Sequence, residues 1–392
     1  MIETFVKSDG PALQSPIRKR WVLVTSSFPI ARDGSEAAGS FVADIAQELS
    51  KYVDVRIVAP GREAAREVWG SMEVFRFPAP DHPLSLLKPW KLRDLYWIYE
   101  IMRGGLDATR KASDGAEHIL ALWGLPCGEW ARRVARQCGI GYSVWMLGSD
   151  IWSLGRLPYL KGRLAKVMRE AARVYADGYQ LAADAKRIGG VEVHFLPSSR
   201  QIDGDYVSPR RHAPYRLLFL GRWHPNKGID LLLDGLSLLT SKDWTLIESV
   251  DIHGGGPMED LVHERVSRLQ TRGCPIRVGG FLDKAQAAAA ISAADWLLIP
   301  SRIESIPVVF SDAMKLGRPV VSTPVGDLGK LVGEGGVGIC AASASKEAFA
   351  MALRELPVAL DDHMDIALTT MAQRFSVEAS ALDLLSVTAN AP

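Results

Sequence analysis

Arg222 and Lys227 are the residues whose chemistry is plainest from type and spacing. They stand in Gly221-Arg-Trp-His-Pro-Asn-Lys-Gly228, between an apolar run and a helical pattern. Both side chains reach a common point past the end of the run, and two cations beside a helix N-terminus suit a diphosphate. A solvated loop with two surface cations reads the same way, so the pair alone leaves two readings open. His253-Gly-Gly-Gly-Pro257 follows, with Gly255 at its centre. It admits close approach of backbone to a ligand, or is a tight strand-to-helix turn. Next comes Arg302-Ile-Glu-Ser-Ile-Pro-Val-Val-Phe-Ser-Asp-Ala-Met314. Glu304 and Asp312 are acceptors of the kind that vicinal hydroxyls need. Backbone N–H groups of Ser305, Ile306 and Val308 face an anion, and Pro307 has none to offer. Asp312 reads also as a carboxylate that favours the helix dipole. Gly317 to Gly326 reads as a turn and a buried strand ending in a glycine loop.

What is missing narrows the chemistry. The loop after the first strand carries only Gly34 and Gly39, so no Gly-x-Gly-x-x-Gly supports a dinucleotide oxidoreductase. A Gly-Lys-Ser/Thr phosphate loop and a Gly-x-Ser-x-Gly elbow are absent too, against a P-loop ATPase and a serine hydrolase. Neither His-x-x-x-His nor Cys-x-x-Cys occurs, so we expect no catalytic metal. The cysteines, Cys127, Cys138, Cys274 and Cys340, have no paired spacing and suit a reducing compartment. A stretch of about 18 apolar residues is also lacking, and Trp21 to Val24 is too short for a signal-peptide core. The expected place is the cytoplasm.

The elements that must position these residues follow from periodicity. Trp21–Thr25, Val53–Val58, His118–Trp123 and Tyr142–Leu147 read as buried strands, Ser40–Leu49 and Gly128–Cys138 as helices, and Val191–Leu196 closes the half. Ser198 to Tyr215, with Gly204, Pro209 and Pro214, reads as a linker. The alternation then restarts: strands at 216–220, 245–253, 276–278, 296–300 and 319–322, helices at 228–239, 258–272, 284–294 and 311–316. This predicts an α/β protein of two doubly wound, Rossmann-like domains with the site in the cleft between them. We place the first at 1–205 and the second at 206–374, with a helix over about 375–392 that crosses back.

Together, in this order, the four segments resemble the C-terminal domain of the retaining GT-B glycosyltransferases of family 4. That family carries Gly-Arg…Lys-Gly, then Gly-x-Gly-Pro, then a Glu and a second acidic residue eight positions on. Here the last motif reads Glu304-Ser-Ile-Pro-Val-Val-Phe-Ser-Asp312-Ala-Met-Lys-Leu-Gly-Arg-Pro-Val-Val321. The likeness covers residues 216–335 well, and the first half weakly, through Phe28–Gly39 and Leu147-Gly-Ser-Asp150. Arg374-Phe-Ser-Val-Glu378 resembles the start of the family's closing helix. The resemblance implies a GT-B fold and transfer of a sugar, with retention, from a nucleotide-diphosphate sugar, without cofactor or metal. It implies that Arg222 and Lys227 hold the diphosphate, Glu304 the donor sugar, Asp312 the ribose diol, and backbone near Phe281 the base. Gly39 would let its loop approach the phosphates, and Asp150 is a substrate-binding residue or a loop or helix cap. The leaving phosphate would help deprotonate the acceptor. Three departures stand out: Asp312 in place of a Glu, Leu147 in place of a His, and Ser198-Ser199 in place of Asn-Gly.

Charge sets the halves apart. Residues 1–200 carry 28 Lys and Arg against 22 Asp and Glu; the rest carry 18 against 23. From Tyr159 to Tyr175, Leu160, Leu164, Val167, Met168, Ala171 and Tyr175 form one helical face, with Lys161, Arg163, Lys166, Arg169 and Arg173 opposite. Segment 86–111 adds Lys88, Trp90, Lys91, Arg93, Trp97 and Arg103. Segments 86–111 and 157–175 are therefore either core-packed helices with solvated basic faces or contacts to an anionic membrane surface or a lipid-linked, anionic acceptor. The near-neutral total, +1, disfavours nucleic acid. We expect a glycosyltransferase of cell-surface polysaccharide, glycolipid or glycoconjugate synthesis at the inner face of the membrane. The rivals are a sugar-nucleotide-binding protein of the same fold that has lost transfer, and a sugar-nucleotide epimerase, which would act without an acceptor.

Overall fold

The computed structural model describes residues 18–30, 39–80, 87–88, 90–357 and 363–389. Its first sheet contains β1 (Arg20–Val24), β2 (Asp54–Gly61), β3 (Ala65–Trp69), β4 (Met72–Pro78), β5 (His118–Leu122), β6 (Gly141–Met146), β7 (Arg173–Ala176) and β8 (His194–Phe195). The order is β3-β4-β2-β1-β5-β6-β7-β8, parallel throughout except for β3 on β4. The second sheet contains β9 (Tyr215–Arg222), β10 (Ile247–Gly255), β11 (Ile276–Gly279), β12 (Trp296–Ile299), β13 (Val320–Ser322) and β14 (Gly338–Cys340), all parallel, in the order β11-β10-β9-β12-β13-β14. The middle stretches of the inner strands are mostly apolar. His118-Ile-Leu-Ala-Leu122 of β5 is buried at every residue, because helices cover both faces of a parallel sheet.

Both sheets reverse their winding once, the first between β1 and β5, the second between β9 and β12. Ligands of such sheets sit beyond the carboxyl ends of the strands at that reversal. For the second sheet those ends lead to Arg222 and to Pro300–Glu304; for the first, to Thr25 and to Trp123. Topology thus brings the two predicted motif groups to one place.

Contacts bind the two halves. Asp327 of the second accepts hydrogen bonds from the N–H groups of Tyr179 (2.7 Å) and Gln180 (3.1 Å), capping helix Tyr179–Gly189 of the first. Gly178 makes this approach feasible, since a Cβ there would collide with Ser305 and Asp327. Lys284 Nζ meets both oxygens of Asp44, at 2.9 and 3.0 Å. The closing helix Val377–Ala389 returns to the first half, where Val377, Ala381 and Leu384 share a core with Val42 and Ile45 of helix Ser40–Leu49.

Several sequence expectations change. The hairpin β3–β4 was not foreseen: its alternating charges resemble a loop, yet Arg76 is buried and pairs with Glu67. The amphipathic helix expected over 157–175 is a helix only over Pro158–Glu170, and Arg173 and Tyr175 belong to β7. Its basic face is not all solvated either, since Arg163 turns onto buried Glu129 and Arg169 Nε caps the carbonyl of Ala165. Met1–Ile17, Gly34 with its neighbours 31–38, residues 81–86, Pro89, 358–362 and 390–392 lie outside the described residues.

Candidate active site

A cavity of about 390 Å³ lies where the two switch points face each other. Gly39, Phe41, Trp123, Leu147 and Asp177 line it from the first half; Arg222, Lys227, Phe281 and Glu304 line it from the second. Arg222 is the last residue of β9 and is exposed, with no ion pair among the described residues. Lys227 lies in the turn Pro225–Lys227, ahead of helix Ile229–Ser237. It forms an ion pair with Glu304, from the loop after β12. The local field is positive: burial first, then Arg222 and Lys227, lower the proton affinity of His224 between them. Glu304 therefore holds Lys227 at the cavity wall, beside Arg222.

Ile306, Pro307 and Val308 line the cavity, and helix Val308–Lys315 begins there, so its N-terminal end faces the cavity. Asp312, in the second turn of this helix, is fully buried and lines the cavity too. Arg200 Nε (2.8 Å) and Nη2 (2.6 Å) both bind its Oδ2, while Oδ1 has no hydrogen-bond partner. Burial pushes the Asp312 carboxyl up, and Arg200 pulls it down. Gly39 adopts φ 74°, and a Cβ there would come within 2.6 Å of the Ser27 carbonyl oxygen, so only glycine suits this entry to helix Ser40–Leu49. Phe281, 63% exposed, lies at the rim.

Three sequence-derived residues are placed elsewhere. Asp150 is buried beside the cavity wall rather than in it: Gly124 N–H (2.8 Å) and Ile151 N–H (3.0 Å) occupy its two oxygens, so it fixes two backbone segments. The Ser305 side chain faces Gly178 across the junction of the halves and does not line the cavity. Gly254, not Gly255, lines it, because the Cβ position of Gly255 faces the Phe281 ring.

Three lining residues had no sequence signal. Trp123 has φ 71°, which no other non-glycine shares among the described residues, and a strained backbone at a cleft is a functional pointer. Asp177 follows β7 and is buried, with Oδ1 unpartnered and Oδ2 accepting from Ser198 Oγ (3.1 Å). Burial raises its pKa to about 7; the hydroxyls of Ser305 and Ser198 pull it down, and the charges of Glu304 and Asp150 raise it further. Arg200 enters from the linker, next to the Ser198-Ser199 departure that sequence did flag.

Comparison with known proteins places the fold. Residues 214–357 match the family model described as "Glycosyl transferases group 1". The chain is 30% identical over 180 residues to the D-inositol 3-phosphate glycosyltransferase of Jonesia denitrificans, covering 44% of this chain and 42% of that one. It spans less than half the length of the curated relatives it matches. Among solved structures, sucrose-phosphate synthase from Thermosynechococcus elongatus superposes with a TM-score of 0.70 at 18% identity, over 95% of this chain and 98% of that one. Anabaena HepE in complex with UDP gives 0.67 at 15% identity, over 95% and 100%. The fold is GT-B.

Proposed function

We propose that this protein transfers a sugar from a nucleotide-diphosphate sugar to an acceptor, with retention at the anomeric carbon. One observation carries the reading: Arg222, the Lys227–Glu304 pair and the start of helix Val308–Lys315 converge on one cavity at the switch point of a doubly wound domain. The diphosphate lies against Arg222 and Lys227, whose charge stabilises the negative charge that grows on the leaving phosphate as the C1–O bond breaks. Glu304 meets hydroxyls of the donor sugar, Asp312 meets the pentose, and the base lies towards Phe281. The departing phosphate takes the proton of the acceptor hydroxyl on the face it leaves, so neither a metal nor a cofactor enters the reaction. HepE, a neighbour in fold, holds UDP.

A thermal-shift panel tests this: UDP, GDP, ADP, CDP, dTDP and their common sugars. We expect a rise with one base that Arg222→Ala abolishes. A panel flat throughout counts against the reading. Leu147 at the cavity wall, which offers the donor no hydrogen bond, favours one rival, a sugar-nucleotide-binding protein that has lost transfer. Release of free nucleoside diphosphate in a single turnover excludes that rival, and product formation without an acceptor would favour an epimerase.

The acceptor is proposed to be lipid-linked or anionic, met at the inner face of the membrane. No helix among the described residues is long and apolar enough to cross a membrane. The surface that suits peripheral contact is the start of helix Leu92–Ala112, where Trp90 is 77% and Leu92 87% exposed, with Leu95, Tyr96 and Tyr99 also exposed beside Lys88, Lys91 and Arg93. The protein is expected to sediment with vesicles of equal phosphatidylglycerol and phosphatidylcholine and not with phosphatidylcholine alone. Trp90→Ser with Leu92→Ser should weaken that binding by about tenfold or more. Equal binding by the variant would remove this surface from the proposal.

A further inference from the structure

Trp123 stands where the alternation of its strand does not lead. Along β5, Ile119 and Ala121 pack into the core beneath helix Leu92–Ala112, while Leu120 and Leu122 pack into the core shared with helix Ser40–Leu49. The next side chain in that alternation belongs with Ala121. Trp123 joins the other side instead, where its ring meets that of Phe41 at 6.4 Å and 63°. The backbone makes the change: φ 71° and ψ 131° turn the indole over to the cavity.

Three hydrogen bonds hold this turn. Trp123 N–H donates to the carbonyl of Trp145 (2.9 Å), Gly128 N–H to the carbonyl of Trp123 (3.1 Å), and Gly124 N–H to buried Asp150 (2.8 Å). Gly124 permits the close packing, since a Cβ there would come within 2.6 Å of Leu164. A strained residue held this firmly, with its ring half-buried at a cavity wall, serves the cavity rather than the core.

The rest of the first-half wall shows what the ring receives. Phe41 and Leu147 are apolar, Ser198 and Asp177 polar. Among the described residues, the first half brings this wall one cation, Arg200, and Asp312 holds it. A phosphate or carboxylate here would meet Asp177 and no free cation. An aliphatic chain would leave the polar groups without partners. A pyranose suits both. One face of its ring is a layer of C–H groups that lies on an indole, and its rim carries hydroxyls, which pair with a carboxyl in either protonation state.

We infer that the acceptor presents an uncharged sugar ring to the cavity, stacked on the indole of Trp123, with any phosphate or lipid part of it outside. The inference rests on the sugar-transfer reading above and names the reacting end of the acceptor, which that reading leaves open.

Saturation-transfer NMR titrations of the full chain test it, with the nucleoside diphosphate that binds present at saturation. The probes are the methyl pyranosides of glucose, galactose, mannose and N-acetylglucosamine, each beside its 6-phosphate. At least one neutral pyranoside should bind, with its 6-phosphate weaker by about fivefold or more. Trp123→Gly removes the ring and suits the backbone at φ 71°. It should weaken that pyranoside by about tenfold, with the nucleoside diphosphate affinity within about twofold of the unaltered protein. Trp123→Phe, which keeps a ring, should lose about threefold at most. If Trp123→Gly gives no cooperative melt, Trp123→Leu against Trp123→Phe decides, and the leucine variant should be the weaker. A nucleoside diphosphate that binds while no neutral pyranoside does overturns the inference and leaves the sugar-nucleotide reading intact. So does a pyranoside affinity indifferent to the loss of the ring, or a 6-phosphate that binds more tightly than the neutral sugar. Binding of no nucleoside diphosphate overturns both.

Discussion

Replacing Arg222 and Lys227 together by alanine is expected to lower kcat/KM for sugar transfer by about 10³-fold or more, since one misplaced or missing donor to a developing anion costs about 10²–10³-fold. The two single variants should differ. Arg222 is exposed and has no ion pair among the described residues, so its loss removes one cation and little else. Lys227 is paired with Glu304, whose side chain is only 16% exposed. Lys227→Ala therefore removes a cation and also leaves an uncompensated carboxylate facing the diphosphate. The larger loss should fall on Lys227→Ala, and adding Glu304→Gln should restore part of the nucleoside diphosphate affinity while leaving turnover low. Steady-state kinetics and titration calorimetry with the nucleoside diphosphate separate these effects, with melting curves as the control for folding. Full turnover in the Arg222→Ala, Lys227→Ala variant would remove the phosphate role from both residues.

Those two residues were legible in the sequence because local rules place them. A buried strand must end, a helix must begin, and the turn between them carries whatever lies at the switch point of the sheet. Glu304 was legible for the same reason, since the strand Trp296–Ile299 is apolar and short and the chain leaves it polar. Ser305 shows where this reasoning stops. It lies one residue from Glu304, yet its side chain faces the first half, because Gly178 opens space there. Spacing along a loop does not fix the direction of a side chain. The strand Arg173–Ala176 was hidden for another reason: Ala171 and Tyr175 continue the helical spacing of Leu164 and Met168, and periods of 3.6 and 2 coincide over so short a run. Arg200 and Asp177 are isolated polar residues in a linker and after a strand. Arg200 finds Asp312 only where the two domains meet, and Asp177 finds Ser198 only through the fold, so nothing local could announce them.

Asp177→Asn is expected to raise the melting temperature by several degrees at pH 8 and by less than half as much at pH 5. Burial sets the direction: the folded carboxyl holds its proton up to a pKa of about 7, against the ordinary value of 3.8. A group that binds its proton more tightly when folded contributes stability at low pH. That contribution is lost as the pH rises from the unfolded value towards the folded one, and above about 7 the ionised side chain is a constant cost. At about 1.36 kcal/mol for each pH unit between 3.8 and about 7, the cost at pH 8 is on the order of 4 kcal/mol. Asparagine keeps an acceptor for Ser198 and carries no charge. The groups facing Asp177 give it no cation to offset the cost. Ser198 and Ser305 offer hydroxyls, Glu304 and Asp150 are acidic, and Lys227 is engaged with Glu304. Asp327, beyond Gly178, is acidic as well and caps the helix Tyr179–Gly189. A carboxylate kept at such a cost in the wall of this cavity fits the pattern of residues that trade stability for function. The same variant should therefore lose transfer rate while it gains stability, with affinity for the nucleoside diphosphate unchanged, because Asp177 lines the first-half wall and Arg222 and Lys227 lie on the second. Melting curves of both proteins between pH 5 and pH 8.5 decide the first part. Parallel curves, with no growth of the difference between pH 5 and pH 7, would mean that Asp177 is ionised without penalty and that its place in the wall is structural.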